Sequence, residues 1–222
     1  MTLVDTTIQL GVVILGALGL SVPFGLYIAR MISFEMRPLE RPLAKVERSF
    51  FRLIGIDVEK QMTWKEYFLA LFMTSIISII FVILVLSFQN YLPSSQHVNG
   101  LSIDLAFHTA MSFITNTDLQ HYTGENQLSV VSQMVAITFA MFVAPAFGIV
   151  TAFAFIRSFI RKNFGLGNFY VDFVRVIITL LLPVAFISSL LLMATGVPQT
   201  LSSSDSIKTL EGNNQSIPIG PV

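Results

Sequence analysis

Oxygen donors are concentrated in one short stretch near the middle of this chain, residues 115–120. Its side chains place hydroxyl, amide and carboxylate oxygens beside their own backbone carbonyls, and hard cations prefer such ligands. Ion filters are built from rings of carbonyl oxygens. We therefore predict a cation-binding loop formed by Thr115, Asn116, Thr117, Asp118, Leu119 and Gln120.

The composition places this loop in a membrane protein. Of the 222 residues, 54% are hydrophobic and 12% are charged, and the mean hydropathy is +0.74. A soluble domain carries about 25% charged residues. In lipid each apolar segment must satisfy its own backbone, which predicts an all-α polytopic fold in the lipid bilayer. The net charge of zero indicates no nucleic-acid partner, and the absence of cysteine excludes thiolate metal sites.

Several apolar runs are long enough to cross a bilayer, for which about 20 residues are needed. They are the uncharged runs 6–29, 67–88, 128–155 and 176–197. Another run, 105–114, is too short to cross as a helix. The sequence therefore predicts four transmembrane helices and one short apolar helix that ends at the oxygen-rich loop.

Basic residues indicate which face of the membrane each connection occupies. They cluster at 30–65 and 157–175, and the positive-inside rule places those segments in the cytoplasm. The N-terminus and the segments 89–127 and 198–222 are then expected outside. Because the segment 89–127 begins and ends on the same face, the run 105–114 within it must be re-entrant or lie flat.

Local signals favour a re-entrant helix. Ser102 is predicted to be its N-cap, with Asp104 near the positive end of the helix dipole. The partly negative C-terminus would then point into the membrane, toward a cation. The alternative is an ordinary polar extracellular loop after a flat interfacial helix, and topology alone leaves both interpretations open. Asp118 is a charge at the filter mouth in the first interpretation and a solvated acid in the second.

Charged residues and histidines elsewhere have simpler interpretations. Residues 30–66 hold basic and acidic residues with apolar residues at near-helical spacing, which predicts an amphipathic helix on the membrane surface or packed on its own protein. Asp172 and Arg175 lie on one helix face and predict a surface ion pair. His108 is expected to be a packing or hydrogen-bonding residue. Metal-ligand spacing is not found among the histidines His97, His108 and His121.

The residues around the loop resemble a known family. The run Ser112–Thr117, followed by Gln120, Tyr122, Gly124 and Glu125, is similar to the first pore loop of the KdpA family. Members of this family are the potassium-binding, channel-like subunits of the bacterial Kdp potassium-transporting P-type ATPases. The resemblance is collinear over essentially the whole chain, with further matches at Val46-Glu47-Arg48, Phe51-Arg52, Gly55, Met62, Trp64-Lys65, Tyr67, Ser132-Gln133-Met134, Gly167-Asn168-Phe169, Asp172, Arg175, Val197–Leu201 and Gly220–Val222.

The resemblance implies a potassium-channel-like fold in which helix–pore–helix units follow an extra N-terminal helix. On that pattern K⁺ is the transported ion and enters the filter from outside a bacterial plasma (inner) membrane. The expected organisation is an N-terminal transmembrane helix at 1–33, a cytoplasmic amphipathic loop at 34–66, the first helix–pore–helix unit at 67–158 with its filter at 115–120, a cytoplasmic turn and the first helix of an incomplete second unit at 159–196, and an extracellular tail at 197–222.

The resemblance also implies partners. The chain would be a multi-pass subunit with its N-terminus outside and no nucleotide site of its own. ATP hydrolysis would fall to the partner KdpB, and KdpC and KdpF would complete the complex. The sequence contains no catalytic triad, phosphate-binding glycine loop or phosphorylatable aspartate motif, so we expect that the chain itself is not an enzyme.

The sequence departs from the family in several places. It ends at Val222, before a second pore loop, so only the N-terminal portion is matched and a truncated or split subunit is expected. Family members often carry Asn where this chain has Asp118, and simple channel filters often have Gly where Gln120 stands. A single loop cannot close a ring of carbonyls, so we expect no conduction by this chain alone. A non-transporting membrane interaction subunit and a cation channel assembled from several copies stay open as alternatives.

Overall fold

The computed structural model describes residues 3–32, 44–93, 98–160, 165–198, 200 and 204–218. His97, the basic residues 161 and 162, the connection 33–43 and the end of the tail at 219–222 lie outside these ranges. The chain divides into two units, residues 1–44 and 45–222. In the first unit α1 (Leu3–Ile32) is one helix, and its part Thr6–Ile32 is long and apolar enough to cross a membrane.

The predicted amphipathic helix is α2 (Ala44–Ile54), of which all but the first residue belongs to the second unit. Its side chains divide between two environments, because Phe51 is buried whereas Phe50, Leu53 and Ile54 are exposed. The burial of Phe51 supports a helix that packs on protein, and the exposed residues leave an apolar surface on another face.

The next span, α3 (Trp64–Ser87), starts at a capping box. The Thr63 hydroxyl accepts a hydrogen bond from the Glu66 N–H at 3.4 Å, and the Glu66 carboxylate accepts one from the Thr63 N–H at 2.8 Å. These bonds satisfy donors that a helix start leaves unpaired. They explain why the helix begins before Tyr67, where the uncharged run starts.

The span α6 (Val130–Ile160) runs antiparallel to α3. The Tyr67 hydroxyl donates to the Val150 carbonyl at 3.0 Å, and the Phe81 and Phe139 rings lie 4.9 Å apart. The last span is α7 (Phe169–Ala194). Each of these two spans contains π-helical turns, Gln133–Ile137 in α6 and Val176–Leu181 in α7.

The start of α7 corrects the prediction of a surface ion pair. Asp172 and Arg175 are only 2% and 8% exposed, and Asp172 binds a different arginine. Arg157 donates from its two terminal nitrogens to the two oxygens of Asp172, at 2.6 and 3.0 Å. Tyr67 also donates to this carboxylate, at 3.2 Å. The spacing of Asp172 and Arg175 identifies helix neighbours, but the partner of Asp172 comes from another helix.

This buried ion pair lies beside a glycine turn. Gly167 has a φ of +99°, and a Cβ atom there would overlap Arg157. The Gly167 carbonyl accepts from the Met62 N–H at 2.8 Å, and the Leu166 N–H donates to the Met62 carbonyl at 3.2 Å. The connection before α3 is therefore joined to the connection before α7.

A short antiparallel hairpin follows α7 where the sequence predicts only a tail. Its strands are β1 (Ser204–Lys208) and β2 (Asn214–Pro218), in a register that pairs Ser204 with Pro218 and Lys208 with Asn214. The four long apolar helices of the described residues confirm the all-α membrane fold, to which this hairpin is a small addition.

Candidate ion-binding loop

The short apolar run forms α4 (Ile103–Ile114), which packs against α3 and α6. Its 12 residues extend about 18 Å, which is well short of the roughly 30 Å of a hydrocarbon core. The chain enters this helix beside the end of α3, where the Leu101 N–H donates to the Leu86 carbonyl at 3.1 Å. The approach is so close that a Cβ atom on Gly100 would overlap the Ser87 carbonyl.

The segment that contains α4 returns to the point from which it started. The Gln89 side chain follows α3 and is fully buried, and its Nε2 donates to the carbonyls of Asn99 at 2.7 Å and Gln127 at 2.8 Å. Its Oε1 accepts from the Ser129 N–H at 3.2 Å and the Ser132 hydroxyl at 2.7 Å. Residues 99–127 therefore begin and end at one level of α3, which both the re-entrant and the flat interpretation require.

The start of α4 is stabilised differently from the sequence prediction. Ser102 is the N-cap residue, but its side chain makes no capping hydrogen bond to the helix. A hydrogen bond from Ser102, followed by bonds from the backbone N–H groups of Asp104 and Leu105, lowers the pKa of the Asp104 carboxyl. The ionised Asp104 therefore takes the place of the serine as the stabilising group at this helix start.

After α4 the backbone N–H groups of the loop turn back toward the helix. Those of Thr115 and Asn116 donate to carbonyls of the last helical turn, at 3.0 and 3.2 Å. Those of Thr117 and Asp118 share the Ser112 carbonyl, at 2.8 and 3.2 Å. The Leu119 N–H donates to the Ser112 hydroxyl at 2.8 Å. Successive donors of the predicted filter are thus bound on one side by the C-terminus of α4.

The loop adopts this form through left-handed residues. Asn116 has a φ of 61° and Asp118 a φ of 56°, and they are the only non-glycine residues of the described chain with positive φ. Residues of positive φ that alternate with residues of negative φ can turn successive N–H groups to the same side of the chain. Asn and Asp tolerate this conformation better than other side chains.

The carbonyl oxygens of the loop remain available as ligands. Among the described residues, no hydrogen bond ends on a carbonyl of residues 115–120. Their side chains are exposed as well. One side of the loop is therefore satisfied by α4, and the other carries oxygens with no protein donor in the described chain.

The return path is fixed to α4 by a polar contact. Thr109, which is fully buried, donates to the Tyr122 hydroxyl at 3.3 Å and to the Leu105 carbonyl at 2.8 Å. Burial raises the pKa of the Tyr122 hydroxyl, which keeps this group neutral at ordinary pH. The short helix α5 (Gly124–Gln127) follows and contacts β2. Its last residue, Gln127, accepts the hydrogen bond from Gln89.

The loop brings together residues that sequence spacing separates. The rings of His108 and His121 are in edge-to-face contact, with centroids 4.3 Å apart.

Gln89 is the main residue that sequence reasoning missed, because a single polar residue after an apolar span gives no periodic signal. In the described chain no group of three or more histidine, aspartate or glutamate side chains is arranged to hold a metal ion.

In the described chain, four helices long and apolar enough to cross a membrane define a multi-pass protein of the all-α class. The chain belongs to the KdpA family. The family model described as "KdpA: Potassium-transporting ATPase A subunit" matches residues 11–222.

Curated relatives agree with this assignment. The chain is 43% identical over 208 residues to the potassium-transporting ATPase potassium-binding subunit of Hydrogenobaculum sp., covering 89% of this chain and 36% of the relative. It is 40% identical over 216 residues to the protein of the same name from Clostridium acetobutylicum, covering 97% and 39%. The one from Alicyclobacillus acidocaldarius is 42% identical over 212 residues, covering 95% and 38%. The chain thus spans less than two fifths of the length of these relatives.

Proposed function

We propose that this chain supplies a potassium-binding pore loop to an ATP-driven potassium uptake complex. The observation that carries the proposal is the one-sided loop at 115–120, whose N–H groups bind α4 while its carbonyls have no donor in the described chain. K⁺ is bound in filters by carbonyl oxygens that replace its hydration shell. The loop then contributes part of a ring, and other pore loops contribute the rest.

The family supports the choice of ion. The relatives are named potassium-binding subunits of potassium-transporting ATPases, and oxygen ligands from a backbone loop suit that cargo. Asp118 adds a carboxylate beside the carbonyls, which attracts cations to the same place. We propose that residues 115–120 bind K⁺ and that the C-terminus of α4 contributes its partial negative charge.

Orientation and partners follow from the same proposal. By the positive-inside rule, the basic residues at 30–65 and 157–175 favour a cytoplasmic location for those connections. The chain would then cross a bacterial inner membrane with its N-terminus outside. Potassium then enters the loop from outside. The ion passes to a partner of the KdpB type that hydrolyses ATP, and subunits of the KdpC and KdpF type complete the assembly. The chain has no catalytic step of its own.

The test is potassium uptake by an assembled complex that contains this chain, in a bacterial strain lacking its own potassium pumps. Thr117→Val removes a loop oxygen and Gln120→Arg introduces a cation, so both are expected to raise the potassium concentration needed for half-maximal uptake. Thr195→Val makes the matched change at an exposed threonine outside the loop and should leave that concentration unchanged.

Other results would favour other functions. If both loop variants kept the parent's apparent affinity for potassium, residues 115–120 would not be the potassium-binding filter. If the 222-residue chain alone restored uptake, a channel assembled from several copies would replace the proposal. If uptake never depended on the chain, a non-transporting interaction subunit would remain.

A further inference from the structure

Two histidines meet at the end of the loop. His108 lies on α4 and His121 directly follows Gln120, and their ring centroids are 4.3 Å apart with an interplanar angle of 84°. Both side chains are exposed. Within the part of the chain that the structure describes, no hydrogen bond involves either ring. Their ring nitrogens are therefore open to a ligand from solution.

The backbones that carry the two rings are held in place by their neighbours. Thr109 follows His108, Tyr122 follows His121, and the hydroxyls of these two neighbours are joined at 3.3 Å. Thr109 is fully buried within the second unit. The two imidazoles are therefore presented side by side from fixed positions, while each exposed ring is free to rotate about its own side-chain bonds.

The chemistry of this pair differs from that of the neighbouring loop. Imidazole nitrogens bind Cu²⁺, Ni²⁺ and Zn²⁺, whereas K⁺ prefers oxygen. With two nitrogen ligands, water oxygens complete the tetragonal coordination that Cu²⁺ and Ni²⁺ favour. Neutral histidine is the form that binds such ions.

We propose that His108 and His121 form a binding site for one divalent transition-metal ion, of the Cu²⁺ or Ni²⁺ type, at the end of the oxygen-rich loop. Rotation of one ring from the edge-to-face contact directs a nitrogen of each residue at a common ion. Binding of the metal by these two side chains does not require that the loop carry potassium.

The experiment uses the 222-residue chain purified in detergent by a tag without histidines. Isothermal titration with Ni²⁺ is expected to show one ion per chain. His108→Asn and His121→Asn should each weaken this binding at least about tenfold, since even loss of an outer partner of a ligand costs 10–100-fold. Cu²⁺ bound to the parent chain should give an electron paramagnetic resonance spectrum with coupling to two nitrogens.

His97→Asn is the matched control, because it removes the remaining histidine of the chain. It should leave the affinity for Ni²⁺ unchanged, and circular dichroism should be the same for all the variants. The proposal is overturned if the parent binds no Ni²⁺, if either pair variant binds as tightly as the parent, or if His97→Asn abolishes binding. None of these outcomes depends on transport, so the function proposed for the loop is tested separately.

Discussion

Asp118 contributes to the loop through its backbone conformation as well as through its charge. Sequence reasoning weighs it as a charge at the filter mouth or as a solvated acid. The structure adds that Asp118 and Asn116 are left-handed residues, at φ values of 56° and 61°. A side chain that resists this conformation would disturb the alternation that turns the carbonyls away from α4.

Two substitutions separate charge from conformation at this residue. Asp118→Asn keeps a side chain that tolerates positive φ, so the free energy of unfolding should stay within about 0.5 kcal/mol of the parent. Asp118→Val places a β-branched residue in the left-handed region and should cost about 1–2 kcal/mol. Denaturant unfolding in detergent measures both. Equal stability of the Val and Asn variants would contradict the conformational role.

Asp104 provides a pH-dependent contribution. Its folded-state pKa lies below the ordinary 3.8, chiefly because of the hydrogen bond from Ser102. The stabilisation is therefore present above pH 3.8 and is lost as pH falls through the lower folded value. Asp104→Asn should lower the melting temperature at neutral pH. The difference between the variant and the parent should shrink toward zero as the pH falls through the lower folded pKa, and a constant difference would argue against this role.

At the scale of elements, the segment 99–127 depends on one buried side chain. Gln89 uses both amide hydrogens and its oxygen to bind Asn99, Gln127, Ser129 and Ser132. It thereby connects the end of α3, the entrance to α4, the return path and the start of α6. The position of the loop at 115–120 follows from this arrangement, since both ends of its segment are fixed at one place.

Gln89→Leu should therefore destabilise the protein strongly. Each buried polar group left without a partner costs about 1–3 kcal/mol, and several are left, so we expect a loss of at least about 3 kcal/mol. Hydrogen exchange at the N–H groups of Thr117 and Leu119 should also accelerate. Tyr91→Leu changes a nearby exposed side chain and serves as the control, with little effect on either measurement. Unaltered exchange in the loop of Gln89→Leu would refute the connection.

At the scale of the whole second unit, its two ends are held by different chemistry. Neutral hydrogen bonds around Gln89 hold the end that carries the loop. At the other end, Arg157 and Asp172 form a buried ion pair between α6 and α7, and Tyr67 of α3 joins it. Three spans are thus fixed relative to one another far from the oxygen ligands.

Asp172→Ala should be among the most damaging changes in the unit. It leaves the buried Arg157 without its carboxylate, and breaking a buried pair costs about 3–5 kcal/mol. The double variant Arg157→Met with Asp172→Leu should recover much of this loss, because the charge of Arg157 is removed together with that of its partner. Lys60→Met breaks an exposed pair with Glu66 and should change the free energy of unfolding little. A double variant no more stable than Asp172→Ala would contradict this account.

Sequence reasoning succeeded where the signal is local or periodic. The four apolar spans are confirmed, and the family resemblance is confirmed over most of the chain. It failed where the partner is distant along the chain, because spacing does not encode such contacts. Asp172 pairs with Arg157 rather than Arg175, and Gln89 binds Ser132 across 43 residues. The His108–His121 contact likewise arises only because the chain turns back.

The distance between Gln89 and Ser132 has a consequence for how the protein is made. A ribosome releases α3 and α4 before the residues that complete the bonds of Gln89 have been synthesised. Until the start of α6 has been synthesised, Gln89 lacks two of its four partners, Ser129 and Ser132. Closing a loop of 43 residues also carries an entropic cost that later contacts must offset. The attachment of the segment 99–127 to the end of α3 is therefore complete only after the start of α6 has been synthesised.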